Sequence, residues 1–177
     1  MDRKFWKDKK VFITGHTGFK GGWLSIWLNE LGANVTGYSL EPKTNPSLFE
    51  SCQIEKRLDS YSGDVRDYEK LKDRILAIQP DIVFHMAAQA LVLDSYENPI
   101  ETYHTNLMGT VNILNAMRDV PSIKAFINVT SDKCYQNNEN LKAFKESDPM
   151  GGSDPYSSSK ACSELITAAY RASFFKD

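Results

Sequence analysis

Short apolar runs alternate along this chain with longer stretches in which apolar residues recur every three or four positions. KVFIT (10–14), NVTGYSL (34–40), the weaker RLDSYSGDV (57–65), DIVFHMAAQ (81–89) and KAFINVT (124–130) carry the β-branched and aromatic content of strands. Between them, WLSIWLNELG (23–32), DYEKLKDRILAIQP (67–80) and NPIETYHTNLMGTVNILNAMRD (98–119) have helical spacing, with Gly32 as a stop and Pro99 near a start. PYSSSKACSELITAAYRASFF (155–175) predicts a last helix, with Asp154 able to cap it and Pro155 in its first turn. The alternation predicts an α/β protein, a Rossmann-like doubly wound parallel sheet covered by helices on both faces. Right-handed crossovers then deliver the functional loops to the carboxyl ends of the strands.

No repeat or linker interrupts the pattern, so residues 1–177 are expected to form a single domain. No strand follows the last helix. The expectation is therefore an amino-terminal portion of a longer architecture, its later strands and substrate lobe lying elsewhere and its fifth strand left at an open edge. A hydrophobic content of 41% is enough for a real core, and a net charge of -2 gives no footprint for nucleic acid. No stretch has the length or apolarity of a membrane span, and the amino terminus lacks the pattern of a signal peptide. Cys52, Cys134 and Cys162 are odd in number and form no CxxC, which predicts reduced thiols in a cytoplasmic setting. No histidine–cysteine–carboxylate cluster has metal spacing, so no metal is expected, and His85 reads as a packed core histidine.

Two segments carry chemistry. VFITGHTGFKGGW places Gly15, Gly18 and Gly21 between a strand and a helix, where a tight turn, a close approach to a pyrophosphate and close packing each need glycine. Thr17 and Phe19 belong to the same loop. The spacing is GxxGxxG rather than GxGxxG, and a glycine-rich turn without a ligand is the rival reading. Ser39 stands where an acidic residue would bind ribose, with Glu41 as a substitute, so NAD is preferred over NADP. Asp64, followed by Val65, lies where an adenine amino group could reach it, although an exposed turn aspartate is the alternative. In SDPYSSSKACSEL, Tyr156 and Lys160 are four apart and share a helix face. A neighbouring ammonium and the helix amino terminus both favour phenolate, so Tyr156 can take a proton from a sugar hydroxyl. Thr130 or Ser131 would hydrogen-bond the reacting oxygen.

TGHTGFKGG, HMAAQ, NLMGT, TSDKCY and DPYSSSK, in this order, resemble the extended short-chain dehydrogenase/reductase family, and specifically its nucleotide-sugar 4,6-dehydratases. The resemblance covers essentially the whole chain but only the cofactor-binding half of the family's length. It implies NAD as cofactor, with Ala87, Ala88 and Gln89 beside it, and a nucleotide-sugar substrate. It makes Ser131, Asp132, Lys133, Tyr156 and Lys160 catalytic, with Lys133 the base for the C5 proton and Asp132 the acid for the C6 hydroxyl. Many relatives acting on other sugars have Asp-Glu here, so Lys133 implies CDP-glucose. Burial and poor solvation are expected to hold Lys133 neutral and Asp132 protonated. The helices containing Asn106 and Tyr156 imply a homodimer at full length. Ala90 and Leu93, and the NLKAF stretch (140–144), depart from the family's pattern and bear on substrate contacts. An epimerase or reductase without the elimination step, or an inert NAD-binding module, are the rival functions.

Overall fold

In the computed structural model, which describes residues 2–137 and 143–175, the strands are β1 (Lys10–Thr14), β2 (Asn34–Ser39), β3 (Asp59–Ser62), β4 (Ile82–His85) and β5 (Ala125–Asn128). They pair only in parallel, in the order β3-β2-β1-β4-β5. The helices are α1 (Arg3–Trp6), α2 (Phe19–Glu30), α3 (Leu48–Ser51), α4 (Tyr68–Ile78), α5 (Val92–Glu97), α6 (Pro99–Tyr103), α7 (Gly109–Met117) and α8 (Pro155–Phe174). The expected doubly wound sheet is therefore present. Sequence order reverses between β1 and β4, which opens the crevice where ligands bind in such sheets.

Alternation along β1 divides the core. Val11 and Ile13 point to one face and pack with Leu28 of α2 and Trp6 of α1; Phe12 points to the other, against Leu71, Ile75, Ile113 and Met117 of α4 and α7. Of these nine side chains all but Trp6 and Met117 are fully buried, a packing worth roughly 1.5–3 kcal/mol per large side chain. Helix α8 lies on the α7 side, where Asn128 of β5 meets it. Within the described residues β5 pairs only with β4, and Ile127 on its far face is exposed.

Three expectations change. Strand β4 ends at His85 rather than running to Gln89: the Met86 amide still reaches the Thr14 carbonyl at 3.1 Å, but the Ala87 amide turns to the Thr14 hydroxyl at 3.1 Å, and the ladder stops there. The helix expected over 98–119 is split by a π-helical turn, His104–Met108, between α6 and α7. That wide turn carries Asn106, which is held by groups outside the helix, and such turns cluster at functional sites. Between β2 and β3 the loop contains α3, whose Ser47 cap accepts from the Glu50 amide at 3.1 Å. Part of NLKAF, and Asn138 and Glu139 after the TSDKCY segment, lie outside the described residues.

Candidate active site

At the β1/β4 switch point lies an open cleft of about 740 Å3. It is lined by Gly15, Thr17, Gly18, Phe19 and Gly21 of the glycine loop, by Asp64 and Val65 after β3, by Ala87, Ala88 and Gln89 after β4, and by Tyr156 and Lys160 of α8. Every residue expected to touch the cofactor thus lines one cleft.

The loop's shape follows from its glycines. Gly15 has φ of +79° and donates its amide to the Tyr38 carbonyl at 3.0 Å. A Cβ there would lie 2.8 Å from the Ala87 nitrogen, so β1 and the β4 exit touch backbone to backbone. Helix α2 begins at Gly18, which supplies no side-chain cap. Its first amides are therefore open to an anion, the chemistry a pyrophosphate requires. Thr17 bridges to Ser39 at 2.9 Å and to the Leu40 carbonyl at 2.8 Å. Ser39 is thereby part of the loop's own bracing, and Glu41 lines the cleft beside it.

Two contacts differ from expectation. The Asp64 carboxylate is already gripped by Arg66, whose Nη2 donates at 2.6 Å. Burial alone would raise the Asp64 pKa, but hydrogen bonds from Arg66 outweigh it and lower it. Any adenine contact competes with that pair. Gln89 is buried and turned inward: its amide donates to the Leu91 carbonyl and Thr102 hydroxyl and accepts from the Leu91 amide. It braces the β4 exit, so its side-chain amide is committed within the chain rather than to a cofactor beside it. His85 bridges Thr14 (2.8 Å) and Thr110 (3.3 Å), and burial pushes its pKa down to about 3, a neutral core histidine.

Helix α8 starts as its sequence predicts. Asp154 caps it by accepting from the Ser157 amide at 2.8 Å, and Pro155 opens the first turn. Tyr156 is half-buried at the cleft wall, and Lys160, one turn on, is buried with 6% exposure. Its Nζ donates to the Val129 carbonyl at 3.4 Å. Burial pushes the Lys160 pKa down to about 8, the Lys20 charge adds to this, and Glu164 opposes it.

The Ser131–Asp132–Lys133 segment sits differently. Ser131 accepts from the Lys133 amide at 3.2 Å and donates to Asp132 at 3.1 Å, capping a single 3-10 turn, Asp132–Cys134. Asp132 and Lys133 line a neighbouring cavity of about 550 Å3 with Asp154 and Ser157, and Thr130 is the residue of this stretch that faces the main cleft with Tyr156. Lys133 and Asp132 are both exposed, so the expected burial of the pair is absent. The two cavities meet along the first turn of α8, which contributes Asp154 and Ser157 to one and Tyr156 and Lys160 to the other.

Sequence reasoning missed several residues that hold this site. Asn106, noted only for its helix, is buried; it accepts from the Gln89 amide at 2.8 Å and donates to the Gln89 carbonyl and the Ser159 hydroxyl. It ties the β4 exit to α8. Arg66 and Glu164 were likewise overlooked. An Asn at a helix centre is a weak former, and that mismatch was the available signal. Among the described residues no group of three or more His, Cys, Asp or Glu could hold a metal ion, and no helix is long and apolar enough to cross a membrane.

The family model described as GDP-mannose 4,6 dehydratase matches residues 12–175. A CDP-glucose 4,6-dehydratase of Salmonella typhimurium is 57% identical over 175 residues, covering 99% of this chain and 49% of that protein. A UDP-glucose 4-epimerase of Mycoplasma genitalium is 29% identical, covering 90% of this chain and 47% of its own. Among solved structures, the Thermus thermophilus UDP-glucose 4-epimerase complex with NAD superposes with a TM-score of 0.81 at 27% identity, covering 94% of this chain and 52% of that one. The chain spans about half the length of these relatives.

Proposed function

The chain belongs to the GDP-mannose 4,6-dehydratase family, and from that premise we propose that it forms the NAD-binding half of a nucleotide-sugar 4,6-dehydratase acting on CDP-glucose. The observation that carries the reading is the single cleft joining an uncapped helix amino terminus and its glycine loop to Tyr156 and the buried Lys160. The 57% identical CDP-glucose 4,6-dehydratase and the Asp132–Lys133 doublet support the sugar.

NAD fits the uncapped α2 terminus and the small-residue floor at Gly15, Ala87 and Ala88, and when bound it supplies a reversible hydride acceptor. With NAD in place to accept hydride from C4, Tyr156 would take the proton from the C4 hydroxyl, with Lys160 one turn on along the same helix face. The resulting ketone acidifies C5. Lys133 removes the C5 proton, and the C6 hydroxyl leaves as water with a proton from Asp132. With bound NAD supplying the hydride for C6, Lys133 would return the proton to C5, so the sugar would end as the 4-keto-6-deoxy form with one water lost. Asp132 and Lys133 are exposed within this chain, so water is excluded from them by groups from outside it, the bound hexose among them.

Replacing Lys133 by methionine tests the reading. The expected outcome is a 4-keto hexose that keeps its 6-hydroxyl, identified by mass spectrometry, with water loss slowed by at least about a hundredfold. An unchanged rate of water loss removes Lys133 as the base; absence of any 6-deoxy product with Lys133 in place removes the dehydratase assignment in favour of an epimerase or reductase, which the 29% identical relative exemplifies. A homodimer belongs to the same proposal, supported by Ile100, Met108 and Leu165, which are exposed on α6, the π turn and α8. A cytoplasmic location, from the three free cysteines, belongs to it as well.

A further inference from the structure

Three consecutive residues at the exit of β5 are tied to one stripe of α8. Asn128 Nδ2 donates to Ser163 Oγ and Thr167 Oγ1, both at 2.9 Å. The Val129 carbonyl accepts from Lys160 Nζ, and the Thr130 hydroxyl donates to Glu164 Oε1. Positions 160, 163, 164 and 167 recur at helical spacing, so these four side chains form a single ladder facing the strand. The last rung, Thr130–Glu164, is the only one made to a carboxylate, and bonds to charged acceptors are the stronger ones. Immediately after it the backbone is locked: the Cys134 amide donates to the Ser131 carbonyl at 3.0 Å, and Ser131 caps the turn that carries Asp132 and Lys133. Displacement at Thr130 therefore moves the acid/base pair as a unit.

We propose that Glu164 is a positioning residue: by holding Thr130 it sets the direction in which Asp132 and Lys133 leave the sheet relative to Tyr156 and Lys160. The effect on chemistry rests on the dehydratase reading, whereas the latch itself does not. Glu164 also lies on the face of Lys160, whose buried charge it partly balances, so one carboxylate serves both sides of the site.

Hydrogen–deuterium exchange on the 177-residue chain separates the two parts. Glu164→Ala and Thr130→Val are each expected to speed exchange across residues 129–135 about tenfold, the loss of one charge-assisted bond, with α4 unchanged. Glu164→Gln, which keeps an acceptor for Thr130, is expected to restore most of that protection. Where CDP-glucose is turned over, Glu164→Ala lowers kcat at an unchanged KM, and Gln recovers part of the loss. Exchange that is unaltered over 129–135, or that rises equally in α4, overturns the latch. Absence of turnover once this chain is joined to the remaining half of the family's length removes the dehydratase reading and leaves the exchange pattern to decide the latch.

Discussion

Replacing Lys160 with methionine is expected to yield a more stable protein with no useful turnover. The Lys160 pKa lies near 8 in the folded chain against 10.5 for an ordinary lysine. The folded state thus resists the charge that the unfolded chain carries freely, at about 3 kcal/mol. Because this folded pKa is lowered, the unfolded chain binds the extra proton between pH 8 and 10.5, and stability rises with pH across that window. Below pH 8 the whole penalty is present; above 10.5 it has gone. Methionine removes the penalty at the loss of the bond to the Val129 carbonyl, worth about 1 kcal/mol. The variant should gain about 2 kcal/mol at pH 7 and lose its advantage by pH 10.5, measured as the difference in urea midpoints against the unsubstituted protein. An advantage that grows with pH would contradict the assignment of a buried, charged lysine. Turnover should fall about 10^3-fold, because the proton-accepting Tyr156 loses the amine that shares its helix face. A residue that costs stability where it stands, beside a phenol in a cleft, is one held for chemistry.

Gly21→Ala should unfold or severely weaken the protein, whereas Gly18→Ala should not. A Cβ on Gly21 would sit 2.1 Å from the Gly15 carbonyl oxygen and 2.8 Å from its carbon. Both are backbone atoms, and Gly15 is itself pressed on Ala87, so no flexible side chain can yield. Relief requires moving α2 off the sheet, at more than about 3 kcal/mol. Gly18 has φ of -77°, and its nearest obstruction is the Gly15 oxygen at an ordinary 3.4 Å. Nothing within the chain demands glycine there; an approaching pyrophosphate does. Thermal denaturation with NAD titration separates the two. Gly21→Ala should lower the melting temperature by more than about 5 °C and abolish binding, while Gly18→Ala melts normally and binds at least about tenfold more weakly. Normal NAD affinity in Gly18→Ala would mean that the loop packs the helix and touches no phosphate.

The strands themselves and the glycine and tyrosine–lysine motifs were legible because their causes are local. Alternation of apolar residues over a few positions is what buries Val11 and Ile13 on one face and Phe12 on the other. The Asp154 cap and Pro155 act within one helical turn, and α8 begins where they stand. Local propensity was less informative where a distant group competes for the backbone. Thr14 ends β4 from another strand. Asn106 sits in the π turn, held by Gln89 and Ser159, neither of them its neighbour in sequence.

The chain's order of apolar and polar residues by itself determined a parallel, doubly wound sheet, a phosphate-binding kind of loop, and a tyrosine and lysine on one helix face. Tertiary structure alone decided which of the remaining polar groups are free. Asp64 is engaged by Arg66, Gln89 by Leu91 and Thr102, and Thr130 by Glu164, while Asp132 and Lys133 stand in solvent in an adjoining cavity. Periodicity reports the face on which a side chain lies. Its partner and its solvation depend on atoms brought within about 3 Å from remote parts of the chain, and only the packed fold brings them there.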